Sequence, residues 1–74
     1  MIQLKQGQTW RHKKRGTNYE ILSVTATLQV QNSILDMSSV VIYVSRPEGQ
    51  IWVRPIAEFL DGRFEHVPTG GARG

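Results

Sequence analysis

The chain of 74 residues contains no cysteine, so neither a disulfide nor a thiolate metal site can stabilise its fold. It is also too short for more than one domain. A domain of this size buries only about 60–65% of the surface that its unfolded chain exposes. Small cores of this kind are often supplemented by association between chains, and we therefore regard a homo-oligomer as plausible.

Long apolar segments are absent as well. The longest apolar run, 40–44, has the length of a strand and falls far short of the roughly 18 apolar residues that a membrane span needs. Residues 1–7 lack the apolar region of a signal peptide. The absence of cysteine is compatible with the cytoplasm. Together these observations predict a soluble, cytoplasmic protein with no membrane partner.

Acidic residues are missing from positions 1–16, which hold five basic residues: Lys5, Arg11, Lys13, Lys14 and Arg15. The rest of the chain holds four arginines and six carboxylates, and the formal net charge is +3. The net charge is modest, but its uneven distribution is typical of proteins that bind anions or nucleic acid.

The pattern of β-branched and aromatic residues predicts five short strands, at 8–12, 19–30, 39–45, 50–54 and 63–67. Pro55 can begin a single helical turn before the last strand, with Ile56, Phe59 and Leu60 facing inward. This order predicts an all-β fold, a small five-stranded SH3-like barrel, over residues 1–67. Residues 68–74 are predicted to form a flexible tail. An OB-type barrel is the less favoured alternative.

The second predicted strand has two different faces. Leu22, Val24, Ala26, Leu28 and Val30 form an aliphatic row, whereas Tyr19 and Ile21 begin the opposite, hydroxyl-rich row. Alternation of this kind is typical of a half-buried strand. Trp10 and Tyr19 alternate in the way expected of a core face. Among the aromatic residues of the other segments, we expect Trp52, Phe59 and Phe64 to fill the core.

The segment 31–38 breaks the alternation and is predicted to be a loop, although it carries Ile34, Leu35 and Met37. Apolar residues in a loop either pack beneath it as a small cluster or present an interface. Packing beneath the loop is the preferred interpretation of the loop by itself. If the three side chains are displayed instead, they are the candidate interface for a protein partner.

Several short motifs follow one another in a fixed order: Gly7, Trp10-Arg11-His12, Gly16, Tyr19-Glu20-Ile21-Leu22, Val40-Val41-Ile42-Tyr43, Ile51-Trp52-Val53-Arg54-Pro55, Phe59 and Arg63-Phe64. In this order the chain resembles the DUF1653-like family, a family of short bacterial and phage domains of unknown function. The resemblance covers about residues 7–67. It implies an SH3-like barrel and a phage or prophage setting, and it implies no activity.

Catalytic and metal-binding patterns are weak. The two histidines, His12 and His66, belong to different predicted strands, and the carboxylates show no metal-ligand spacing. Gly70-Gly71 lacks the strand–loop–helix context of a phosphate-binding loop. We expect no enzymatic activity, no metal and no cofactor.

The basic segment formed by Arg11, His12, Lys13, Lys14 and Arg15 is the candidate basic patch. At the tip of a hairpin it can bind phosphate groups, and the neighbouring aromatic residues can stack on bases. The same run is also compatible with a simple solvated turn, which is the more common role of such a segment.

Arg54 and Arg63 allow two interpretations. Each can form a structural ion pair with a carboxylate, for which Glu58, Asp61 and Glu20 are the candidates. Alternatively, the two arginines converge with two aromatic residues into an anion-binding pocket, in which the guanidinium groups bind phosphate and the rings stack on a base. The four residues of that candidate pocket are Tyr43, Trp52, Arg54 and Arg63.

The sequence therefore predicts a non-enzymatic accessory protein of a phage or prophage that acts by binding. The leading target is a host protein, bound or inhibited through Ile34, Leu35 and Met37 together with the basic patch. The alternative is an oligomeric protein of the anti-defence type that sequesters a phosphorylated small ligand or nucleotide signal. Nucleic acid is the third target class.

Overall fold

A computed structural model describes residues 3–68 as one antiparallel sheet with a single helical turn. The elements are β1 (Thr9–His12), β2 (Asn18–Leu28), β3 (Ser38–Arg46), β4 (Ile51–Pro55), α1 (Ile56–Phe59) and β5 (Phe64–Val67). The strand order is β4-β3-β2-β1-β5. The predicted all-β class, the five strands and the helix before the last strand are confirmed. The SH3-like barrel stays a prediction, and all but the first residue of the predicted tail, Pro68, lies outside the described residues.

Tight turns bring consecutive strands side by side. In the β1–β2 turn the N–H of Gly16 donates to the carbonyl of His12 at 2.7 Å, and in the β3–β4 turn the N–H of Gly49 donates to the carbonyl of Ser45 at 2.7 Å. Both glycines have positive φ, +74° and +82°, a backbone conformation that is strained for residues with a side chain. The two glycines therefore explain why the chain reverses at these positions.

The core is mostly aromatic. Its buried cluster consists of Trp10, Tyr19, Ile21, Val41, Tyr43, Phe59 and Phe64. Phe59 and Phe64 stack at a centroid distance of 4.1 Å, and Trp10 contacts Phe59 edge-on at 5.4 Å. The prediction that Phe59 and Phe64 lie in the core is confirmed.

The core position predicted for Tyr19 is confirmed, whereas the aliphatic row that starts at Leu22 is only partly buried. Tyr19 and Ile21 face the core, whereas Leu22 is only half-buried. The register between β2 and β3 shifts between Ile21 and Ser23 and again between Ser23 and Ala26, and each shift adds one residue to β2. Between the two shifts the alternation is reversed, and Val24 is the next residue of β2 that packs against the core cluster.

Helix α1 has the predicted place but not all of the predicted contacts. It begins at Ile56, one residue after Pro55, and Phe59 is fully buried while Ile56 packs against the core at its edge. Leu60 was expected to face inward and is 47% exposed, so this prediction is wrong. Because the helix has only one turn, Leu60 is its C-cap and no longer lies on the buried side of the helix.

The preferred interpretation of the β2–β3 loop is also wrong. Ile34 is 98% exposed, Met37 is 65% exposed and Leu35 is partly exposed. The loop backbone is closed by its own hydrogen bonds, since Asp36 Oδ1 accepts from the N–H of Val30 at 2.8 Å. No residue from 29 to 39 is buried, so this end of the hairpin offers no core under which the apolar side chains can pack.

Within residues 3–68, no helix has the length and apolar character needed to cross a membrane.

Candidate anion-binding pocket

An open pocket of about 210 Å³ is lined by residues of β1, β2, β3, β4 and β5, the β1–β2 turn and the α1–β5 loop. Its lining residues are His12, Arg15, Tyr19, Tyr43, Trp52, Arg54, Arg63 and Phe64. We call it the arginine pocket. All four residues proposed from the sequence to form an anion site line it, together with two residues of the basic patch. Their role in binding stays a prediction.

The aromatic wall of the arginine pocket follows from strand register. Tyr43 of β3 lies directly opposite Trp52 of β4, so the two side chains share one face of the sheet. Tyr19 contacts Tyr43 edge-on at 5.1 Å. Trp52 is 41% exposed, and its predicted place in the core is wrong. The reason is that β4 is an edge strand, so Trp52 has a neighbouring strand on one side only.

Arg54 is held in place by the aromatic core. Two residues after Trp52, it lies on the same face of β4. Its Nε donates to the hydroxyl oxygen of Tyr43 at 3.1 Å, and its guanidinium carbon lies 5.7 Å from the centroid of the Phe64 ring. The hydrogen bond to Tyr43 is the main reason why the pKa of Arg54 is raised above its usual value. The nearest carboxylate oxygen, from Glu58, is 3.9 Å away, which is the limit of an ion pair.

Arg63 has a closer carboxylate partner. Its Nη2 lies 2.9 Å from Oδ2 of Asp61, and its backbone N–H also donates to Asp61. Desolvation raises the pKa of Asp61, but the hydrogen bonds from Arg63 outweigh it and leave this pKa below its usual value. Arg63 thus forms an ion pair and lines the pocket at once. Glu20, the third candidate partner, pairs with Arg46 instead, at 2.7 Å.

His12 is the one titratable group of the arginine pocket that can change its charge near neutral pH. Desolvation lowers its pKa first, and the nearby charges of Arg15, Arg54 and Arg63 lower it further. Its Nδ1 accepts a hydrogen bond from the N–H of Arg15 at 3.2 Å. His12 is therefore neutral at pH 7 with its proton on Nε2.

The structure divides the basic patch. Arg11 is adjacent to His12 in β1, so it lies on the opposite face of the strand and pairs with Glu65. Lys13 and Lys14 are exposed and do not line the arginine pocket. Strand alternation, already readable in the sequence, would have separated Arg11 from His12.

Arg15 reaches the pocket because the β1–β2 turn is bound to the loop before β5. The N–H of Lys13 donates to the carbonyl oxygen of Arg63 at 3.0 Å. Arg15 has no carboxylate within 4 Å in the part of the chain that is described. Arg15 therefore contributes a positive charge that has no ion-pair partner among residues 3–68.

A second pocket of about 190 Å³ adjoins the first and shares Arg15, Tyr19 and Trp52 with it. Its remaining lining residues, which the sequence analysis missed, are Thr17, Ser45, Glu48 and Gln50. These residues flank the β1–β2 and β3–β4 turns, and their type alone gives no signal of a site. We call this the polar pocket.

Residues 3–68 contain no group of three or more His, Cys, Asp or Glu side chains able to hold a metal ion. Comparison of the chain with family models, with curated proteins and with solved structures finds no match. The resemblance to the DUF1653-like family stays a prediction.

Proposed function

We propose that the protein is a non-enzymatic binding module for a small, phosphate-bearing anion. The observation that carries this proposal is the convergence of Arg15, Arg54 and Arg63 on one aromatic-walled pocket whose lining contains no carboxylate. Phosphate oxygens accept charge-assisted hydrogen bonds from arginine, which are stronger than hydrogen bonds between neutral groups.

The pocket suits such a ligand in two further respects. Arg54 is fixed by Tyr43 through its Nε, which leaves both Nη groups to donate to an oxyanion. Trp52 exposes part of its ring beside these cations, and an exposed indole offers a stacking surface to a base or another flat group.

The biological role in this proposal is sequestration of a phosphorylated ligand or nucleotide signal by a cytoplasmic phage or prophage protein. Its support is the pocket chemistry together with the family resemblance. β4 is an edge strand whose Ile51 and Val53 are exposed, and such an edge favours association with another chain. A homo-oligomer therefore remains part of the proposal.

The test is calorimetric titration of the protein with pyrophosphate and with sulfate. We expect saturable binding of both anions, weaker at high salt because the pocket is open to solvent. Sulfate keeps its charge near neutral pH, so it isolates the contribution of His12. An anion raises the pKa of His12 and favours its protonated form, and sulfate affinity should therefore rise as the pH falls from about 8 to about 6.

A His12→Gln variant is the matched control for the pH effect, because it keeps a polar side chain and removes the titration. Absence of binding by either anion at low salt would refute the proposed function. If long single-stranded nucleic acid binds with a much steeper salt dependence than pyrophosphate, the ligand class would be nucleic acid and not a small anion.

A second candidate function is binding or inhibition of a host protein. The observation that favours it is the display of Ile34 and Met37 on a loop whose backbone is fixed by hydrogen bonds. Exposed apolar clusters on small proteins often mark interaction sites.

We expect replacement of Ile34 and Met37 by serine to change the free energy of unfolding by about 0.5 kcal/mol or less, since both side chains are exposed. The same variant should lose a partner that co-purifies with the natural sequence, while anion binding is unchanged. Co-purification that survives both substitutions would exclude this loop as the interface.

A further inference from the structure

The arginine pocket and the polar pocket lie side by side, and we call the pair the groove. Arg15, Tyr19 and Trp52 line both of them. Each alone, at about 210 and 190 Å³, is smaller than the roughly 300 Å³ at which sites for drug-sized ligands begin. Together they reach that size, which is sufficient for a ligand with a phosphate end and a ring.

The two halves of the groove differ in charge. The arginine pocket is lined by three arginines and no acidic residue. The polar pocket is lined by one basic residue, Arg15, and one acidic residue, Glu48, together with uncharged residues such as Thr17 and Gln50. A phosphate group is therefore favoured at one end and a neutral, hydrogen-bonding group at the other. Trp52 lies between them, where a flat ring can stack.

Glu48 differs from the other carboxylates of residues 3–68. The others each have a partner in the protein: Glu20 with Arg46, Asp36 with the N–H of Val30, Glu58 with Arg54, Asp61 with Arg63, and Glu65 with Arg11. Glu48 makes no ion pair in this part of the chain. Both of its oxygens are thus available to donors of a ligand.

The position of Glu48 is defined by the β3–β4 turn. Ser45 and Gln50 close this turn, because the N–H of Ser45 donates to the carbonyl of Gln50 at 2.8 Å and the N–H of Gln50 donates to Ser45 Oγ at 3.2 Å. The backbone groups of these residues are therefore engaged with each other. The side chains of Glu48 and Gln50 are the groups of this turn that can contact a ligand.

We infer that the groove takes a guanine nucleotide, with its phosphates in the arginine pocket, its base on Trp52 and its Watson–Crick edge at Glu48. This inference rests on the proposed function. Guanine presents two adjacent donors, N1–H and the 2-amino group, which a carboxylate can accept through both oxygens. Adenine presents an acceptor at N1, which a carboxylate repels, and hypoxanthine lacks the 2-amino donor.

The experiment compares GDP, ADP, IDP and pyrophosphate by calorimetric titration of the full chain. We expect GDP to bind about tenfold or more tightly than ADP, with IDP in between. Glu48→Gln should reduce the preference for GDP over ADP to within about twofold. Glu58→Gln, a carboxylate outside both pocket linings, is the matched control and should keep the preference.

The outcomes separate the two proposals. Equal affinity for GDP and ADP, with pyrophosphate bound, overturns the guanine assignment while the anion-binding function stands. A preference for GDP that persists in Glu48→Gln also overturns the assigned role of Glu48. If neither pyrophosphate nor any nucleotide binds, the proposed function fails and the inference fails with it.

Discussion

Replacing Phe59 with alanine is expected to unfold the protein at room temperature. Phe59 is fully buried, stacks on Phe64 at 4.1 Å and is contacted edge-on by Trp10 and Tyr43 at 5.4 and 5.1 Å. Removing a buried phenylalanine ring costs about 3–5 kcal/mol. A core of this size supplies only about 3–5 kcal/mol of net stability. Because Phe59 connects α1 to the sheet, the loss affects the whole domain.

The measurement is urea unfolding followed by the fluorescence of the tryptophans, one of which, Trp10, is buried against Phe59. The control is Leu60→Ala, the adjacent residue, which is largely exposed and should change the free energy of unfolding by about 0.5 kcal/mol or less. A cooperative transition in Phe59→Ala that loses less than about 1 kcal/mol would show that the core does not depend on this ring.

The strands could be predicted from the sequence because each is a local feature. The segment 39–45 was expected to be a strand, and β3 runs over Ser38–Arg46. β-branched and aromatic residues fill it, and it is bounded by a loop on one side and by the turn with Pro47 and Gly49 on the other. The helical turn before the last strand has an equally local cause in Pro55, which fixes the backbone where α1 begins.

The face of β2 could not be predicted in the same way. Alternation assigns Ile21 and Leu22 to opposite faces, but it does not show where a shift in register reverses the pattern. The shifts after Ile21 and after Ser23 depend on how β2 pairs with β3, which is a contact between distant parts of the chain. From the residue types alone, the aliphatic row that begins at Leu22 was expected to be the buried one.

The candidate site depends on long-range contacts to an even greater degree. Tyr43, Trp52 and Arg54 could be grouped because their strands are adjacent in the chain. The approach of Arg15 to these residues could not be predicted, because it follows from the hydrogen bond between the β1–β2 turn and the loop that contains Arg63. The exposure of Trp52 likewise depends on the strand order, which places β4 at the edge.

Arg54→Ala is expected to weaken pyrophosphate binding by roughly ten- to hundredfold, the loss that corresponds to a charge-assisted hydrogen bond of about 1.5–3 kcal/mol. Arg54 is the most constrained arginine of the pocket, because Tyr43 and Phe64 fix its orientation before a ligand arrives. A preorganised donor loses little side-chain entropy on binding, and its removal therefore weakens binding more than the removal of an exposed charge.

Arg46→Ala is the matched control. It removes the same charge from an exposed arginine that pairs with Glu20 and lines neither pocket. Equal losses of affinity in Arg46→Ala and Arg54→Ala would mean that net charge attracts the anion and that the pocket has no specific role.

The stability of Arg54→Ala has to be measured beside its affinity, because the buried Tyr43 loses the partner of its hydroxyl group. We expect a cost of about 1 kcal/mol, which leaves the protein folded. Tyr43→Phe separates the two effects: it removes the hydrogen bond and keeps the guanidinium. If orientation matters, Tyr43→Phe should reduce affinity to a value between those of the natural protein and Arg54→Ala. If charge alone matters, Tyr43→Phe should bind pyrophosphate as tightly as the natural protein does.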